Sequence, residues 1–421
     1  MYEMPNFYKA KQMYPDNKIE NCKETIFTEL DKLLKESKLP KGSTIAITAG
    51  SRGINQIADI FKYLVEKLKN EDYCPFIFSA KGSHGGGEAG GQKELLESLG
   101  ITEEYVGTKI SCSSEVVHIG ETTEFLPGLP VYTAKEAIDA DTILIVNRIK
   151  PHTNFSGEFE SGIMKMMSVG MGRATGAAMV HKLGTENLLG AIKAIGKTVL
   201  TKLPVLGAIA IVENAYEHTA IIEGIPADKI MIREPELLKS AKALMPSIPF
   251  KELDLLVVQE IGKNFSGTGM DTNIIGRIRI NGIPEPEDFR IKYIGALDLS
   301  EESHGNATGV GLADFTTKRL FEKIDYRKTY TNVLTSGNVM RVAIPMITEN
   351  DKDLLYTFKK ALKIEDVSAL KILILKNTLH VNEFWISEGL LSYSKEITHL
   401  DIESGPSPLS FDEYQNIILN D

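Results

Sequence analysis

Short apolar runs recur along this chain, and most are followed by a glycine-bearing turn and then by apolar positions spaced three and four apart. Ser43-Thr-Ile-Ala-Ile-Thr48 reads as a strand, Ala49-Gly-Ser-Arg-Gly53 as a turn, and Ile57, Ile60, Phe61, Leu64 and Leu68 as one face of a helix. Cys74 to Ala80 begins a second such unit, with the turn Lys81-Gly-Ser-His-Gly-Gly-Gly-Glu-Ala-Gly-Gly91 and a helix from Gln92 to Leu99. Thr142-Ile-Leu-Ile-Val146 reads as a buried parallel strand, and helix 185–200, strand 205–212 and helix 226–245 continue the alternation. Strands are predicted again over 254–261, 291–299 and 371–375, and a helix over 314–324. Residues 1–20 predict an irregular surface segment, and 215–223 a loop.

Strand, turn and helix in this order predict an α/β fold of two domains with mainly parallel, doubly wound sheets and an active-site cleft between them. The hinge-like Pro246-Ser-Ile-Pro249 divides an N-terminal domain, 1–248, from a C-terminal one, 249–421. A chain of 421 residues is too long for one ordinary core, which agrees. The formal charge of -10 argues against nucleic acid or an anionic membrane as the main partner. Three widely spaced cysteines, Cys22, Cys74 and Cys112, read as reduced thiols of a cytoplasmic protein, and no signal-like or membrane-spanning apolar run is present. Homo-oligomerisation is left open.

The chemistry concentrates between Asn147 and Lys182. This stretch holds five glycines and five methionines and places His152, Lys165 and His181 after a strand end, where open α/β sheets keep their ligands. His152 follows Pro151 and suits proton transfer near neutrality. Lys165 in Gly162-Ile-Met-Lys-Met-Met167 either snorkels or is a desolvated nucleophile, and His181 is either a core imidazole or a metal ligand. The turn holding Ser51 and Arg52 suits an anion, because free N–H groups, the helix dipole and a guanidinium fork converge there. His84, among glycines, is little shielded from a ligand, and His304 lies in a second polar loop. Read as A-x-S-x-G beside His84-Gly-Gly-Gly87, the same turns suggest a serine hydrolase using Ser51, but the motifs stand in the reverse of that fold's order. Walker A is absent.

Taken together, Arg52, Gly82-Ser-His84, Pro151-His152, Lys165 and His181, sixteen residues after it, resemble the lactate racemase family of nickel-pincer enzymes. The resemblance implies a racemase or epimerase of a small 2-hydroxy acid. Its cofactor would be a nickel-pincer nucleotide, pyridinium-3,5-bisthiocarboxylic acid mononucleotide nickel, held by Lys165 with His181 as a nickel ligand. It assigns His84 and His152 as the acid/base pair around a hydride transfer through a 2-oxo acid. Ser51 and Arg52 would lie at the cofactor, and Arg52 and Arg279 at the substrate. A binding or carrier protein of the same fold is the alternative. The chain departs from the family pattern in three places. The Arg52 turn lacks its aspartate, the interval from His152 to Lys165 is longer and contains Glu158 and Glu160, and Arg279 stands where a lysine is usual.

Overall fold

The computed structural model describes residues 4–50, 53–82, 88–364 and 366–419. The sequence-derived assignments of Ser51, Arg52 and His84 lie outside the described residues. The chain separates into two compact units, Pro15–Met245 and a second made of Met1–Tyr14 with Pro246–Asp421.

The opening segment is not irregular. Residues Phe7–Gln12 form strand β1, which pairs antiparallel on both sides within the sheet of the second unit. Phe7 and Ala10 are buried there, while Lys9 and Lys11 reach Glu383 and Glu403. The burial repeats at every third residue, so the two-residue alternation that betrays a strand is missing. What makes it a strand is pairing with residues far away in sequence.

The unit 15–245 carries β2 (Thr44–Ala49), β3 (Cys74–Ser79), β4 (Ile110–Ser111), a separate hairpin of β5 (Val116–Glu121) and β6 (Pro130–Ala134), β7 (Thr142–Arg148), β8 (Val205–Glu213) and β9 (Thr219–Pro226). Its six-stranded sheet runs β4-β3-β2-β7-β8-β9, parallel except for the last pair. Alternate residues of β2, β7 and β8 feed opposite cores. Ile45, Ile47, Leu144, Val146, Ile209 and Ile211 pack with helices Cys22–Ser37 and Ile57–Asn70, while Ala46, Ile143, Ile145, Ala208 and Ala210 pack with Leu188–Lys202 and Ile230–Leu244. Burial on both faces is why these strands read as near-continuous apolar runs. The order reverses between β2 and β7, so a topological switch point lies at their carboxyl ends. The predicted loop at 215–223 is largely β9, an antiparallel edge returning along β8.

The second unit adds β10 (Glu252–Ile261), β11 (Arg290–Leu299), β12 (Phe315–Thr317), β13 (Met346–Thr348), β14 (Ile372–Leu375), β15 (Glu383–Ser387) and β16 (Leu400–Ser407). The sheet order is β13-β12-β11-β10-β14-β15-β1-β16, parallel from β13 to β14 and antiparallel beyond. The helix expected over 314–324 begins only at Lys318, because Phe315 to Thr317 pair with β11 and β13. Both sheets are therefore α/β and mostly parallel. No helix among the described residues is long and apolar enough to cross a membrane.

Candidate active site

At the switch point β2 runs into Gly50 and β7 into Arg148. A methyl group on Gly50 would lie 2.1 Å from the Ala80 carbonyl oxygen, and one on Gly170 would lie 2.8 Å from the same atom. The end of β3 thus packs backbone to backbone against both the end of β2 and the segment that follows Lys165, and only glycine permits that approach. Arg148 pairs with Glu213 at the end of β8, and Glu213 also accepts from the Asn55 N–H at 2.7 Å. This pair braces the turn after β2. The helix after that turn starts at Ile57, several residues beyond the glycine turn where the sequence suggested it.

Residues 163–182 form a broken helix: one turn at Ile163–Lys165, a π-helical stretch at Met166–Gly170, then a regular helix Arg173–Lys182. Wide turns of this kind inside helices mark functional sites. His181 therefore stands on regular helix. The break is held by Arg173, which is 1% exposed with φ of 52°. Its guanidinium donates to both Glu136 carboxylate oxygens at 2.8 and 2.9 Å and to the Glu115 carbonyl at 2.6 Å.

The first turn is capped from outside. Glu234, on helix Ile230–Leu244, accepts from the Met164 N–H at 2.9 Å, and Asn147 donates to the Gly162 carbonyl at 2.7 Å. Burial raises the Glu234 carboxyl to about 8 against its hydrogen bonds to the Met164 and Ile163 N–H groups, which act to lower it, and its Oε1 has no hydrogen-bond partner among the described residues. Only a glycine at 162 leaves room for this carboxyl, since a Cβ there would sit 2.1 Å from Oε1.

His152 and Lys165 meet across Phe155. The imidazole stacks on that ring with centroids 4.3 Å apart, and the Lys165 Nζ lies 6.0 Å from the ring centre. The Asn154 N–H donates to His152 Nδ1 at 3.0 Å, so in the neutral ring the proton sits on Nε2. Desolvation, seconded by the charge of Lys150 and opposed by Glu160, pushes the Lys165 amine down to about 8. Burial, then the charge of Lys165, moves the His181 imidazole below its ordinary value. Both groups are thereby biased toward their neutral, electron-pair-donating forms. Competitive acetylation should give Lys165 a reactivity midpoint near pH 8, against about 10.4 for exposed lysines. A midpoint shared with the surface lysines would contradict the buried environment.

The structure thus brings His152, Lys165 and His181 into one electrostatic neighbourhood of the N-terminal unit. Arg279 is placed otherwise, within the C-terminal unit. Its fork donates to the Gly311 and Ala313 carbonyls at 2.6 and 3.0 Å and to Asp314 at 2.5 Å. His304 is exposed with φ of 48°, and its carbonyl accepts from Lys328. Among the described residues no three His, Cys, Asp or Glu side chains converge as a metal cage. Sequence reasoning missed Arg148–Glu213, Arg173–Glu136 and Glu234, because each partner lies dozens of residues from what it holds; a lone charged residue inside an apolar helix face, as Glu234 is, was the one available signal.

An α/β unit with an amine and two imidazoles gathered on one segment beside its switch point defines the class. Residues 6–187 match the lactate racemase N-terminal domain. A crystal structure of a protein from Thermotoga maritima shares the fold, with a TM-score of 0.50 and 13% identity over 79% of this chain and 84% of that one. The lactate racemase apoprotein from Thermoanaerobacterium thermosaccharolyticum aligns with a TM-score of 0.47 and 12% identity, over 84% of this chain and 90% of that one. No curated protein sequence matches the chain.

Proposed function

We propose that this protein is a racemase or epimerase of a small 2-hydroxy acid that works with a nickel-pincer nucleotide. The observation that supports this most is the lowered lysine of a lactate racemase domain, Lys165, next to an imidazole kept neutral, His181. An amine with a pKa of about 8 has roughly a tenth of its molecules neutral at pH 7, far more than an exposed lysine of about 10.4, and a neutral imidazole is the form that ligates a metal. The residues therefore fit the group: Lys165 would hold it and His181 would ligate its nickel. When bound, the group supplies a hydride acceptor.

The rest falls to side chains of this chain. His152 is assigned to move the hydroxyl proton of the substrate; with Nδ1 accepting from the Asn154 N–H, the Nε2–H of the neutral ring is the proton it can give. His84 takes the same part from the opposite face, which is what inversion of a centre requires. Arg52 is assigned a carboxylate or phosphate, Ser51 the cofactor, and Arg279 the substrate. The three cysteines are free, which suits a cytoplasmic enzyme.

The test is to produce the chain together with a pincer-nucleotide biosynthetic pathway and to measure intact mass and nickel. Wild type should gain a nucleotide-sized mass and stoichiometric nickel, and Lys165→Ala should gain neither. His152→Ala should keep both yet lose C2 isotope exchange on a panel of 2-hydroxy acids by about 10²- to 10⁴-fold. A wild type that stays unmodified and nickel-free, while a known racemase loads in parallel, sinks the proposal.

A further inference from the structure

His152 sits in an excursion whose base is closed by the paired backbones of Lys150 and Ser161, at 2.9 and 3.2 Å. At the centre of this loop is one carboxylate. Glu160, 2% exposed, accepts through Oε2 from the His152 N–H at 2.6 Å. Through Oε1 it accepts from the Ser156 hydroxyl at 3.1 Å and the Gly157 N–H at 3.0 Å, and it pairs with the Lys242 ammonium at 2.6 Å. Four donors thus converge from two sides on two oxygens. A carboxylate offers acceptors on both sides; a carboxamide of the same size must turn its NH2 toward donors on one of them. Lys242 comes from helix Ile230–Leu244, which also supplies Glu234 to the turn carrying Lys165. One helix therefore grips both halves of the segment.

We propose that Glu160 is a positioning residue: its charged, two-sided carboxylate, backed by Lys242, fixes the backbone at His152 and with it the direction of the imidazole stacked on Phe155. Its importance for catalysis rests on the reading of His152 as an acid/base group, but the clamp itself does not. Nothing here asks Glu160 to touch substrate.

Hydrogen exchange of the peptide spanning 152–160 tests the clamp in the full-length chain without cofactor. Glu160→Gln should speed exchange at the His152 amide on the order of 10- to 100-fold, the effect of losing a hydrogen bond to a charged acceptor. Glu160→Asp, which keeps acceptors on both sides but is shorter, should fall between Gln and wild type. A residue that merely fills space would give the opposite order, with Gln indistinguishable from wild type, and that result overturns the proposal. Should Glu160→Gln fail to fold, Lys242→Met reads the same clamp from its other end and should raise exchange about threefold; unchanged exchange there also overturns it. In the loaded protein, Glu160→Gln should lower kcat while nickel content stays constant. Altered exchange in Glu160→Gln combined with full activity of His152→Ala would retain the clamp and remove the acid/base reading, so the two fail separately.

Discussion

Replacing Arg173 by methionine is expected to destabilise the N-terminal unit by about 3–5 kcal/mol, the cost of removing one partner from a buried ion pair. The guanidinium is fully enclosed and satisfies Glu136 and the Glu115 carbonyl at once. Methionine fills much of the same volume but takes the charged partner from the buried Glu136 carboxylate, which keeps the Ser111 hydroxyl, and the shorter of two donors from the Glu115 carbonyl, which keeps the Lys135 N–H. Residue 173 also has a left-handed backbone, which a non-glycine side chain adopts only when its surroundings enforce it. Urea denaturation should show a lower midpoint with an unchanged slope, and the thermal midpoint should fall by roughly 6–20 °C. A shift below about 1 kcal/mol would mean that water already reaches the pair.

Glu234→Gln is expected to do the reverse, and in a pH-dependent way. Burial raises this carboxyl from 4.5 to about 8, so between those values the folded chain holds a proton that the unfolded chain has released. Stability is then full at low pH and is lost as pH rises through that window. Glutamine can still accept from the Met164 N–H and carries no charge. The variant should exceed wild type by about 3 kcal/mol at pH 7 and by under about 1 kcal/mol at pH 5. Denaturation curves taken from pH 5 to 8 would show the two proteins diverging steadily. A constant gap would mean that Glu234 is not the titrating group. Since the wild-type carboxyl caps the turn that carries Lys165, a residue costly to stability at that position marks a place where local order is worth more than net stability.

The parts of the fold that could be read in advance are those whose physics is local. Strands such as β7 and β10 announce themselves as apolar runs because both faces of a parallel sheet are covered, and helix Ile57–Asn70 by its spaced apolar face. β1 and β9 could not be read so, because their identity comes from partners across the sheet, and β12 was taken into a helix since Phe315-Thr-Thr continues directly into one. The same division runs through the site. His152, Lys165 and His181 share one stretch of sequence and were found together. Glu160 was visible only as part of a longer interval, and its purpose depended on Lys242, which sequence spacing does not bring near it.

The placement of β1 carries a consequence for biosynthesis. Phe7 to Lys11 hydrogen-bond to residues 383–387 and, on the other side, to residues near 400–407. A growing chain makes these partners only after the whole of Pro15–Met245 has been synthesised, so that unit can close during translation while β1 waits unpaired. A strand kept waiting with both edges unpaired is a natural client for chaperones, and a truncated chain that ends before residue 383 would release it with permanently unmatched edges. Fragments made to study the site alone are best begun at Pro15.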